Sequence, residues 1–145
     1  MEHVIIAAVA ENGVIGAEGG IPWHYPADFN HFKQTTTGHP VIMGKTTFDG
    51  IVEGLGGALP DRLNIVLSFE PYDPPDGVVN VHSIDDALAA AEADATGAVF
   101  IAGGASIYAQ FLEEGLVDRM ILTRIPETPD GDTYFPDWDE DDWRV

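Results

Sequence analysis

The sequence predicts an α/β fold in three layers, with a mainly parallel central sheet and helices on both faces. Three observations carry this prediction. Short apolar runs recur along the chain, each bounded by turn residues. Helical patterns lie between the runs, so strands and helices alternate, and such alternation favours a parallel sheet covered on both sides. No internal repeat or low-complexity linker breaks the order, and one domain is expected over residues 1–145.

The elements follow in sequence order. Residues 4–9 read as a buried strand. Residues 11–25 form a long irregular stretch that carries Gly13, Gly16, Gly19 and Gly20 before Pro22 and Trp23. A loop of that length is either functional or a plain solvent-exposed connection. Residues 26–36 suit a helix because Pro26 stands in the first turn. A strand over 41–43 and a short helix over 46–51 come next, then a second glycine-containing loop over 54–61. Residues 64–67 and 78–81 read as strands. Residues 84–95 form an alanine-rich helix, with Ser83 as N-cap and Gly97 beyond its end. A strand over 98–102, a helix over 105–114 closed by Gly115, and a strand over 117–123 complete the pattern. In such sheets ligands bind outside the carboxyl ends of the strands, so functional residues should follow them.

Charge and composition narrow the function classes. The chain has 25 acidic and 6 basic residues among 145, a formal charge of −19 and a pI near 4.1. It lacks cysteine, which excludes a disulfide framework, a thiolate metal site and a cysteine nucleophile. No apolar run approaches the roughly 20 residues of a membrane span. Residues 1–10 are apolar but too short, and without a basic start, for a signal peptide. A soluble cytoplasmic protein is expected. Nucleic acid and anionic membranes are not expected partners, because binding them depends on Lys and Arg. The acids are spread along the whole chain, and Lys33 and Lys45 are its only lysines. That distribution suggests a surface adapted to a salt-rich cytosol, where a Debye length of about 3 Å at molar salt screens self-repulsion. An ordinary acidic protein is the alternative.

Four places invite chemistry. Asp28 falls in the first turn of a helix, favoured there by the dipole, with Phe32 one turn on and Tyr25 and Phe29 nearby. An acid on an aromatic face is desolvated and its pKa rises, which suits holding a protonated heterocycle; a solvated acid that stabilises the helix is the competing reading. Gly44-Lys45-Thr46-Thr47 follows a strand and opens a helix, but it is no P-loop, since position 39 is His39. Its backbone N–H groups, hydroxyls and lysine suit a phosphate, and Thr46 is equally a plain N-cap candidate. Gly103-Gly104 makes a second glycine turn between strand and helix, where backbone can approach a pyrophosphate. Arg62 stands at a strand entry, placed for a carboxylate ligand or for a surface pair with Asp61. The five histidines show no metal-ligand spacing, and Ser68 and Ser106 lack a nucleophile-elbow context. The acids of 137–142 lack the glycine and spacing of a calcium loop.

Taken in order, the chain shows Ile5-Ile6-Ala7-Ala8-Val9, Gly13-Val14-Ile15-Gly16, Ile21-Pro22-Trp23 and Pro26-Ala27-Asp28-Phe29 with Phe32-Lys33. Met43-Gly44-Lys45-Thr46-Thr47-Phe48, Leu59-Pro60-Asp61-Arg62, Ile101-Ala102-Gly103-Gly104 with Tyr108, Leu122-Thr123 and Gly131-Asp132-Thr133-Tyr134-Phe135-Pro136 follow. In this order the segments resemble dihydrofolate reductase, most like those of halophilic archaea. The resemblance covers nearly the whole chain.

It implies NADPH-dependent reduction of dihydrofolate, with dihydrofolate and antifolate-type ligands as partners. Asp28, Trp23 and Thr123 are implied at the catalytic centre. Asp28 would grip the pterin N3 and 2-amino group, with Thr123 in support. Ile6, Ala7, Phe32 and Ile51 would line the substrate pocket, and Arg62 would pair with the substrate's glutamate carboxylate. The implied cofactor set is Ala8, Ile15, Gly16, Gly44, Lys45, Thr46, Thr47, Leu67, Ser68, Ala102, Gly103, Gly104, Ser106, Ile107 and Tyr108. The Gly103–Gly104 bond is expected to be cis, and residues 12–23 to form a mobile lid. Metal is not expected, and the chain is expected to be a monomer or a weak homo-oligomer. Ser106 and Phe69 depart from the family pattern where a basic residue and a second hydroxyl are often found, leaving Lys45 as the cation for the 2′-phosphate. The family usually continues past Asp141-Asp142-Trp143 with two more strands, so C-terminal strands are expected to be missing. A pyrimidine reductase of the same fold, acting in flavin synthesis, and a truncated cofactor-binding domain with little activity are the alternatives; Asp28 together with Arg62 favours folate.

Overall fold

The computed structural model describes residues 1–16, 26–68, 74–75, 77–94, 96–126, 128–136, 138 and 143. Its elements are β1 (Glu2–Ala10), β2 (Val14–Gly16), α1 (Pro26–Thr36), β3 (Val41–Gly44), α2 (Lys45–Leu55) and β4 (Asn64–Leu67). They continue with β5 (Val78–Val81), α3 (Ile84–Asp94), β6 (Ala98–Ile101), α4 (Ala105–Glu113), β7 (Arg119–Ile125) and β8 (Thr133–Tyr134).

Six strands form one sheet in the order β5-β4-β3-β6-β1-β7, and every neighbouring pair is parallel. Parallel strands are covered on both faces, which is why β1, β3 and β4 are near-continuous apolar runs. Successive side chains point to opposite faces, and the core divides accordingly. Ile5, Ala7, Val9, Ile42, Ile65, Val99 and Ile101 pack with Ala87 and Ala91 of α3 and Ile107, Tyr108 and Phe111 of α4. Val4, Ile6, Val41, Met43, Val66 and Phe100 pack on the other side with Phe48, Ile51 and Val52 of α2 and Phe32 of α1. Each cluster removes apolar surface from water at about 25 cal/mol per Å², the main favourable term in folding.

Helix ends follow local chemistry. The Ser83 hydroxyl accepts from the Asp86 N–H (3.1 Å), the capping expected for α3. α2 runs four residues past its expected end, through Gly54, because its stop is Gly56. Gly56 takes the left-handed conformation (φ 82°) and sends its N–H to the Val52 carbonyl. The N-cap of this helix is Gly44, so Thr46 is not the cap. β7 begins and ends two residues later than expected.

The irregular stretch after β1 contains an unexpected strand. β2 pairs antiparallel with β8, Val14 opposite Tyr134 and Gly16 opposite Thr133. The Phe135 N–H reaches the Gly13 carbonyl (2.9 Å), and Gly13 itself sits at φ +86°. This small sheet clamps the root of the glycine loop to the last stretch of the chain. Strands of two and three residues carry no alternation from which to predict them.

Candidate functional site

The site grows from the ends of β3 and β6, which lie side by side. Their ladder continues past the strands: the Ala102 N–H bonds to the Ile42 carbonyl (2.9 Å) and the Gly44 N–H to the Gly103 carbonyl (2.8 Å). The starts of α2 and α4 therefore stand next to each other. Both helices are capped by glycine, Gly44 and Gly104, without any side-chain cap bond. Their first-turn N–H groups are thus open to an anion, and the helix dipoles favour one. The Gly103–Gly104 peptide is cis.

At Gly103 both conformation and space disfavour a side chain. Gly103 has φ +119°, and a Cβ on it would lie 3.3 Å from the Tyr108 hydroxyl and 3.5 Å from Thr47 Oγ1. A Cβ on Gly44 would meet Ile107 at 3.5 Å, an ordinary packing contact. Gly44, Thr47, Gly103, Gly104, Ile107 and Tyr108 are thereby brought together in one cradle of bare backbone. Lys45 pairs with Asp49 on the surface (2.8 Å), Thr46 is exposed, and the exposed Ser106 accepts from Gln110 (3.2 Å).

Leu67 and Ser68 lie on the strand next to β3, at the carboxyl end of β4, with Leu67 opposite Gly44 and both residues buried. The Ser68 hydroxyl donates to Asn80 Oδ1 (3.0 Å), and His82 Nδ1 meets the Ser68 carbonyl (2.7 Å). A carbonyl only accepts, so Nδ1 carries the proton.

The central strand supplies the floor. The Tyr108 hydroxyl donates to the Ile6 carbonyl (2.8 Å), and burial pushes its pKa well up. Ala7 is buried, and Ala8 stands opposite Thr123 of β7. Ile15 packs against the α4 side of the core, and Gly16 ends β2. Ile6, Phe32, Ile51 and Ala102 share the cluster on the α1/α2 side. Asp28 is the third residue of α1, with its side chain outside the described residues. Trp23 also lies outside them, as does the rest of the expected lid over residues 17–23.

Arg62 is held by the end of α1. Its Nε donates to the Pro60 carbonyl (2.7 Å), and its Nη1 to the Lys33 carbonyl and to Thr36 Oγ1 (both 2.7 Å). Partial burial lowers its pKa from the ordinary arginine value, opposed by the charge of Asp61. Asn64, fully buried, stitches the preceding loop: it accepts from the Leu59 N–H (3.1 Å) and donates to the carbonyls of Leu59 (2.9 Å) and Arg62 (3.1 Å). No spacing in the sequence singles out Thr36 or Asn64. A polar residue opening the apolar run 64–67 was the available signal for Asn64.

Residues 2–145 match the family model described as dihydrofolate reductase. The chain belongs to the dihydrofolate reductase family. It is 46% identical to dihydrofolate reductase HdrB of Haloferax volcanii over 147 residues, covering 99% of this chain and 75% of that relative. It is 44% identical to the type 3 dihydrofolate reductase of Salmonella typhimurium, covering 97% of this chain and 82% of the other. The fold is also similar to that of a solved Enterococcus faecalis dihydrofolate reductase complexed with NADP(H) and RAB-propyl. That likeness has a TM-score of 0.82 and 35% identity, over 97% of this chain and 80% of that one. The mainly parallel α/β sheet is thus a dihydrofolate reductase fold.

Proposed function

We propose that the chain reduces 7,8-dihydrofolate to 5,6,7,8-tetrahydrofolate with NADPH. The observation that carries this reading is the pair of glycine-capped helix starts at the ends of β3 and β6. A pyrophosphate needs backbone N–H groups at close approach, and a single added methyl group on Gly103 would crowd Tyr108. The residues therefore fit the cofactor. Gly44, Lys45, Thr46, Thr47, Gly103, Gly104, Ser106 and Ile107 hold its phosphates, and Leu67 and Ser68 its adenosine end. Ala8, Ile15, Gly16, Ala102 and Tyr108 flank the nicotinamide end.

When bound, NADPH supplies the hydride that reaches C6 of dihydrofolate. The protein orients the two rings, excludes water and manages one proton. Asp28, supported by Thr123 and Trp23, holds the pterin N3 and 2-amino group and favours protonation at N5. Ile6, Ala7, Phe32 and Ile51 pack the pterin and benzoyl rings. Arg62 pairs with the glutamate carboxylate.

The chain is of a halophilic type and works in a salt-rich cytoplasm. The dispersed charge of −19 and the similarity to the relative from the archaeon Haloferax volcanii support this.

The test is loss of NADPH absorbance with and without dihydrofolate, from low salt to molar KCl. Substrate-dependent oxidation retained or raised in concentrated KCl is expected. Absence of substrate-dependent loss at every salt concentration overturns the activity.

A further inference from the structure

We infer that Thr36 is a positioning residue that fixes the orientation of the Arg62 guanidinium toward the substrate carboxylate. The inference rests on the reading of Arg62 given under Proposed function. Thr36 is fully buried at the end of α1, one of three buried polar residues in the described chain. Its hydroxyl donates to the Phe32 carbonyl (2.9 Å), so its single proton is committed. Only lone pairs then remain on the side facing Arg62, and Arg62 Nη1 donates to them at 2.7 Å. The same Nη1 donates to the Lys33 carbonyl, and Nε to the Pro60 carbonyl.

Three of the five guanidinium N–H groups are thereby fixed by the protein. The two on Nη2 have no partner among the described residues, and these are the donors left for a ligand. A guanidinium held at three points loses little freedom when it meets a carboxylate, which strengthens binding without touching the reacting atoms. Valine at position 36 would keep the shape and set a methyl group against an Nη1 proton, releasing the plane to rotate.

The experiment compares wild type, Thr36→Val, Thr36→Ser and Arg62→Leu on two substrates. One is dihydrofolate, and the other a 6-methyl dihydropterin that lacks the benzoylglutamate tail. Thr36→Val is expected to raise KM for dihydrofolate about three- to tenfold, with kcat little changed and tail-less turnover unaffected. Thr36→Ser keeps the acceptor and restores KM. Equal losses of Thr36→Val on both substrates, or no rise in dihydrofolate KM, overturn the positioning role. Arg62→Leu separates the premises: if it spares dihydrofolate KM, the carboxylate reading itself fails. Should Thr36→Val not fold, nitrogen-15 NMR of the wild type decides. Resolved Nη signals for one arginine, absent in Arg62→Leu, support the anchored fork, and rotationally averaged signals overturn it.

Discussion

The Tyr108 hydroxyl and the Ile6 main-chain carbonyl, 102 residues apart in sequence, share a buried 2.8 Å hydrogen bond that ties α4 to the centre of β1. Tyr108→Phe leaves that carbonyl unpaired in the interior and should cost about 1–3 kcal/mol. Urea unfolding of the two proteins measures it. The bond also predicts an alkaline limb. Burial raises the folded pKa above the ordinary value of 10.0, so the stabilisation is complete below that pH and is lost progressively as pH climbs past it. The gap between wild type and Tyr108→Phe should therefore narrow above about pH 10.

Asp28→Asn tests the proton-managing acid. Turnover should fall about a hundredfold or more at neutral pH, and less in acid, where substrate arrives already protonated. A pH–rate profile of unchanged shape would remove Asp28 from that role.

Lys45 is the cation at the start of α2, beside the proposed cofactor cradle, and it also pairs with Asp49. Lys45→Gln should raise KM for NADPH several-fold at low salt. The difference should shrink toward molar KCl, where the Debye length is about 3 Å. Steady-state kinetics in a KCl series reads both. A penalty constant with salt would argue for packing and against charge.

Two glycines should respond in opposite senses to alanine. Gly50 lies within α2, exposed, with open space where a Cβ would go, so Gly50→Ala should add about 0.5–1 kcal/mol of stability. Gly103 sits at φ +119° against Tyr108 and Thr47, so Gly103→Ala should cost about 1–3 kcal/mol and weaken NADPH binding. Thermal melting with and without NADPH distinguishes the two.

The sheet and its helices were legible because their signals are local. Apolar runs, Ser83 and Pro26 each act within a few residues. Gly44-Lys45 and Gly103-Gly104 were legible separately as helix starts after strands; the bond between Gly44 and Gly103 is a matter of strand order, which periodicity does not encode. The pairing of Val14 with Tyr134 joins residues 120 positions apart through strands too short to show a period. In the sequence Thr36 marks only the end of a helix. Its part in holding Arg62 depends on how the loop after α2 returns to α1, and no spacing rule reports that.

The place of β1 has a consequence for synthesis. Both its neighbours, β6 and β7, are made last among the six strands, so this apolar segment is synthesised long before its partners. At roughly 5–20 residues per second, several seconds or more separate translation of β1 from translation of the strands that flank it. Through that interval Val4, Ile5 and Ile6 are exposed as sticky nascent chain. Completion of the sheet centre is then a late event, and a holding chaperone has a defined window in which to act.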